Sequence, residues 1–196
     1  MEIETPSSSA SPPRSPVLAH RLRRLAGAVR GLALLGSLCL LVLPFWIIGG
    51  SADSAEPLQG LYGGHVVGLA QAGLTAAVRW RLAGVTLLPV AVAVAALWQL
   101  WWLFGHYRHG DVFSERAVQR LRRFGAAMVA LAVVQPLSTS LAAVAASLDN
   151  PPGQRAVVLI IGSSDYAVLM CALVFLALGR VIGEAARLAQ ENQEFV

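Results

Sequence analysis

Four apolar runs of roughly 20 residues, separated by clusters of arginine, set the pattern of this chain. Residues 31–50 and 82–104 contain no charged side chain at all. At 1.5 Å per residue, 20 helical residues reach about 30 Å, the thickness of the hydrocarbon core of a bilayer. Runs of this length and purity read as membrane-spanning helices. The predicted spans are 31–50, 82–104, 125–147 and 164–182. The expected fold class is all-α: an integral membrane four-helix bundle with an amphipathic cytoplasmic loop helix and a helical cytoplasmic C-terminal tail. Residues 1–20, rich in serine and proline, read as a disordered cytoplasmic tail, and 21–196 as the membrane domain.

Each span has its own signature. Arg21, Arg23, Arg24 and Arg30 lead into the first. A signal peptide is the competing reading, but its apolar region is only about 7–15 residues, which favours an uncleaved span. The second span ends in Trp98, Trp101, Trp102 and Phe104, an aromatic belt at one membrane surface. Pro89 within it predicts a kink, tolerated where a neighbouring helix recaptures the freed carbonyl. The third carries Gln135, Pro136, Ser138, Thr139 and Ser140, groups better placed against another helix than against lipid. Asp165 decides where the fourth begins, because a carboxylate at the bilayer centre costs about 2.5–3.5 kcal/mol. A start beside Asp165 leaves 157–161 as a short interfacial or core-packing segment.

Composition agrees with this pattern. Of 196 residues, 56% are hydrophobic and 13% charged, with a mean hydropathy of +0.63. Soluble domains carry about 25% charged residues, so a soluble α/β enzyme is nearly excluded. The net charge is +4, and all 15 basic residues are arginine. With the N-terminus inside, twelve arginines face the cytoplasm, leaving Arg79, Arg81 and Arg155 outside. That asymmetry predicts both termini on the inner face of a cytoplasmic membrane. It also accounts for the basicity, so no direct contact with nucleic acid is expected. Cys39 and Cys171 lie in apolar stretches and read as buried soft hydrophobes, not as a disulfide framework.

The connecting segments hold the candidate chemistry. In the outer loop, 51–81, Gly60, Gly64 and Gly68 recur every four residues and Ala72 and Ala76 continue the spacing. On a helix this is a smooth small-xxx-small face; the alternative is a flexible glycine-containing loop. Asp149 to Gly153 read as a tight turn. In the inner loop, 105–124, a turn at Tyr107, Arg108, Gly110 and Asp111 precedes Ser114, a helix N-cap. Beyond it Ala117, Val118, Leu121 and Phe124 share one arc, and Arg116, Gln119, Arg120, Arg122 and Arg123 the other. This predicts an amphipathic helix lying on the inner leaflet, each arginine contributing about 1 kcal/mol of attraction to anionic headgroups. It serves as a topology anchor or as a docking face for an acidic partner.

The tail carries Glu184, Arg187 and Glu191, with Glu184 and Arg187 spaced to pair, and it is able to close on the arginine loop. His106 and His109 have ligand-like spacing, but nothing completes a metal site, so no metal or cofactor is expected. No phosphate loop, zincin helix or nucleophile elbow is present, and the chain is not read as an enzyme.

Leu103, Phe104, Tyr107, Arg108, Gly110, Val112, Phe113 and Ser114, then Leu121, Arg122, Arg123 and Gly125, resemble the inside-loop signature of the bacterial family called domain of unknown function 2975. Gly183, Glu184, Ala185, Arg187, Leu188, Glu191, Asn192 and Val196 are similar to its terminal motif. The resemblance covers residues 24–196, and its candidate signature positions are Tyr107, Gly110, Val112, Phe113 and Ser114. It implies a four-span membrane fold without an established activity, and a possible role as membrane partner of a small Xre-type helix-turn-helix regulator often encoded beside its members. The expected function is a cytoplasmic docking surface built from Arg108, Arg116, Arg120, Arg122, Arg123, Glu184, Arg187 and Glu191. Its partners are anionic lipid headgroups and such a regulator. The alternative is a small transporter or channel subunit using Gln135, Ser138 and Thr139, with the outer loop as lid.

Overall fold

A computed structural model describes residues 16–49, 56–62, 64–71, 73–108 and 115–194. Among these residues there are helices, turns and coil, and no strand. The helices are α1 (Pro16–Gly49), α2 (Glu56–Tyr62), α3 (Gly64–Gly68), α4 (Ala76–Arg108), α5 (Glu115–Ser147) and α6 (Ser163–Glu194). Four have stretches long and apolar enough to cross a membrane: Arg24–Gly49, Ala76–Gly105, Glu115–Ser147 and Ser163–Leu188. They contain the four expected spans, apart from Gly50, and overrun them because the arginine- and alanine-rich flanks are themselves good helix formers. α1 begins at Pro16, so 16–20 are helical backbone; the remainder of the serine- and proline-rich segment lies outside the described residues.

The long helices pack in chain order, α1 on α4, α4 on α5 and α5 on α6, as an open row. Neighbours run antiparallel. Gly36 packs on Leu97 and Gly105 lies near Arg30; Arg120 meets Gln99 while Ser138 meets Val85. Gly125 packs on Leu176 and Gly183 on Val118. One end of the row therefore gathers Arg24, Arg30, Arg116, Arg120, Arg122, Arg123, Arg180 and Arg187, and the other holds Arg79, Arg81 and Arg155. Outward-facing leucines, valines and phenylalanine on α1 and α6 are exposed, as lipid-facing positions must be.

The arginine-bearing segment after Glu115 is not a separate helix on the leaflet. It is the first turns of α5, continuous with the third span. The reason lies in its apolar arc. Ala117 and Leu121 are buried in a cluster with Leu103, flanked by Leu100, Phe175 and Ile182, and the Phe124 ring meets Phe175 edge-on at 5.0 Å. Protein covers the face that was expected to enter lipid.

Prolines interrupt α1 at Pro44, α4 at Pro89 and α5 at Pro136. Each lacks an N–H and so deprives the carbonyl four residues earlier of its helical donor. For Pro89 that carbonyl is Val85, and the Ser138 hydroxyl of α5 donates to it at 3.3 Å. The neighbouring helix thus recaptures the freed acceptor, as a span in hydrocarbon requires.

The glycine-rich loop end forms a cap. Leu58 and Tyr62 on α2 and Val66 on α3 are buried against Ile47, Val78, Leu82 and Ala142. The Tyr62 and Thr86 hydroxyls are hydrogen-bonded to each other, and both reach the Leu82 carbonyl, Thr86 at 2.7 Å and Tyr62 at 3.2 Å. Burial pushes this phenol above its ordinary value near 10, against the opposing hydrogen bond to Thr86, so at neutral pH it is an uncharged donor. Gly60, Gly64 and Gly68 have open space where a Cβ would stand, so they do not form a packing face. Buried Arg79 donates to the Leu74 carbonyl (3.2 Å) and to Ile47 (3.4 Å) in the last turn of α1, where a cation meets the negative helix end. Asn150 Nδ2 donates to Leu69 (2.7 Å) and Gln154 (3.3 Å), tying the loop to the expected turn, whose Gly153 has a φ of 92°. Residues 157–161 are coil that exposes Val157, Leu159 and Ile161 and packs Val158 inward. α6 then starts at Ser163, with the Asp165 carboxylate accepting from the Gly162 N–H at 2.8 Å.

Candidate functional site

At the arginine end the helices sort their charges. Arg30 of α1 lies 4.1 Å above the Trp101 ring, which stacks on Trp98 at 5.5 Å. Arg120 donates to Gln99 Oε1 at 2.8 Å and stands 5.6 Å from the Trp102 ring. The aromatic belt of α4 is therefore also a platform for cations from both adjacent helices, an attraction of about 0.5–1 kcal/mol at exposed sites. Arg187 pairs with Glu184 (2.8 Å) and Glu191 (3.5 Å) one turn either side on its own helix. All three side chains are more than half exposed, so these pairs contribute only tenths of a kcal/mol. The tail thus satisfies its charges along α6 and not by closing on the arginines of α5.

Arg24 and Arg180 are exposed at this end without an ion pair among the described residues, and so are three arginines of α5. Arg116, Arg122 and Arg123 are exposed and make no ion pair among the described residues. They line a groove of about 840 Å³ between α5 and α6 whose floor includes Val118, Leu176 and Gly183. The groove exists because the two helices approach closely just beside it. A Cβ at Gly179 would stand 2.9 Å from Arg122 Cγ, one at Gly183 3.1 Å from Val118, and one at Gly125 2.9 Å from Leu176. Close backbone approach through glycines is the small-xxx-small mode of membrane helices. Gly179 and Gly183 have the same spacing in the sequence as Gly60, Gly64 and Gly68, and only the contacts tell the two series apart.

Of the sequence-predicted contact residues, the structure brings Arg116, Arg122, Arg123 and Arg187 around one groove. Arg120 is turned toward α4 and does not join them. Glu184 and Glu191 serve Arg187. Arg108 and Tyr107 end α4, with side chains outside the described residues, and Gly110, Val112, Phe113 and the Ser114 cap fall outside them altogether. His106 is helical by backbone only, and His109 and Asp111 are likewise beyond description.

Long apolar helices stacked antiparallel, with polar groups satisfied by neighbouring helices, define a multi-pass membrane protein. The chain belongs to the family described as Protein of unknown function (DUF2975), whose model matches residues 70–196. The match starts just before α4, so α1, α2 and α3 lie outside it, a shorter reach than the resemblance to residues 24–196 implied. No curated protein and no solved structure matches the chain.

Proposed function

We propose that this protein sits in a cytoplasmic membrane with its arginine end inward and offers the α5–α6 groove to an acidic segment of a cytoplasmic protein. A small helix-turn-helix regulator of the kind the family resemblance implies is the favoured partner. One observation carries the reading: Arg116, Arg122 and Arg123 are left without carboxylate partners beside a groove, while Arg30, Arg120 and Arg187 are each engaged within the molecule. Three guanidinium groups around an apolar floor suit an acidic amphipathic helix, because each provides a forked donor to a carboxylate.

The test uses the full chain in lipid nanodiscs and a small helix-turn-helix regulator of that kind. Replacing Arg116, Arg122 and Arg123 by glutamate is expected to weaken its binding at least tenfold, and Arg120→Gln to leave it within twofold, since like charges across an interface cost several kcal/mol. Equal binding by the triple variant would count against the docking reading. Labelling of a cysteine placed at Ser114 from the outside only would count against the orientation.

A second reading, a small transporter or channel subunit, draws support from a cavity between the helices whose otherwise apolar lining includes Gln135 and Ser138. Solute flux in proteoliposomes that is lost on Gln135→Leu would favour it over docking.

A further inference from the structure

Three adjacent helices carry a proline at nearly one depth. Gly36 packs on Leu97 in antiparallel register, which sets Pro44 level with Pro89. The bond from Ser138 to Val85 sets Pro136 within a turn of the same level. Helices that bend at one depth separate there, since each proline forces its helix away from straight packing. At that level a cavity of about 250 Å³ opens between α1, α4 and α5 beneath the α2 cap.

Its chemistry is specific. Leu40, Leu43, Val90 and Leu131 supply apolar walls, and no charged side chain lines it. The hydroxyls of Tyr62, Thr86 and Ser138 at its edge are already hydrogen-bonded, the first two to each other and to the Leu82 carbonyl and the third to the Val85 carbonyl. The Gln135 amide also lines the cavity, and among the described residues its side chain has no hydrogen-bond partner. An amide with unused donors and acceptor is costly in a low-dielectric interior. On the α1 wall, Pro44 denies the carbonyl of Leu40, a lining residue, its usual helical donor.

We propose that this cavity binds an uncharged amphiphile whose hydroxyl or amide head pairs with Gln135 and whose aliphatic body lies against Leu40, Leu43, Val90 and Leu131. A 150 Å³ apolar cavity takes benzene, so this volume admits a molecule of about ten non-hydrogen atoms. Charge is excluded because nothing in the cavity compensates it. Tyr62, anchored on Thr86 from α2, closes the loop-end side. The site is remote from the α5–α6 groove and does not depend on it.

The experiment photolabels the full chain in nanodiscs with 3-azioctanol, a diazirine-bearing alkanol, and maps adducts by mass spectrometry. Saturable labelling of cavity-lining residues, competed by 1-octanol, is expected. Gln135→Leu should raise the half-saturating concentration about fivefold, the equivalent of one neutral hydrogen bond, while keeping the volume. Because it replaces an unpaired amide by an apolar group, this variant keeps the fold. Ala93→Phe, which fills the cavity, should abolish saturable labelling with helical circular dichroism unchanged. Non-saturable adducts scattered over the outward faces of α1 and α6, or wild-type half-saturation in Gln135→Leu, would overturn the proposal.

Discussion

Gly60, Gly64 and Gly68 at the loop end share their four-residue spacing with Gly179 and Gly183 in α6, yet the two series stand in opposite surroundings. A methyl group added at any of the first three meets nothing within 4 Å, whereas at the other two it stands 2.9 Å from Arg122 and 3.1 Å from Val118. The difference is one of length and neighbours. α2 and α3 have 7 and 5 residues, too few to run alongside another helix, and they bury Leu58, Tyr62 and Val66 instead. α6 has 32 residues and packs alongside α5, so a glycine row there sets the interhelical distance.

Three substitutions break or sharpen this contrast. Gly179→Val has the largest expected effect, a loss of about 3 kcal/mol, because the new Cβ stands 2.9 Å from Arg122 Cγ and the Arg122 backbone at 3.5 and 3.7 Å leaves no room for the two added methyl groups. Reversible unfolding in mixed micelles measures it, and the same variant should open the arginine groove by spreading α5 from α6. Leu58→Ala follows, at about 2 kcal/mol, since the side chain is 1% exposed and leaves a cavity under the cap. The same unfolding measurement applies, and a loss under about 0.5 kcal/mol would mean that the cap packs less firmly than its burial indicates. Gly60→Ala is the smallest: a change within about 0.5 kcal/mol, tending toward stabilisation because alanine loses less backbone entropy in a helix. A large loss there would restore the glycine-face reading of the loop.

The spans were legible in the sequence because hydrocarbon leaves a chain few choices. Uncharged runs of 20 or more residues in lipid must satisfy their own backbone, and a helix does so locally. Ser138 was likewise legible as a group wanting a helix neighbour, and it found the carbonyl that Pro89 had freed. The arginine segment shows where such reading stops. Its wheel of Ala117, Leu121 and Phe124 opposite arginines is the same whether the apolar arc meets lipid or protein, and only Phe175, Leu103 and Ile182 decide for protein. Arg120 is another case, since nothing in its spacing separates it from Arg116 or Arg123, yet Gln99 and Trp102 claim it.

Number, length and type of the long helices, and the gathering of eight described arginines at one end of them, follow from local composition and the thickness of a bilayer, which act on each segment separately. Which glycines touch, which arginines remain without an ion pair, and that three prolines lie near one depth, beside a cavity lined by Pro89, were decided only when helices distant in the chain came together. Those outcomes depend on register and facing between segments, and a one-dimensional pattern carries no term for either.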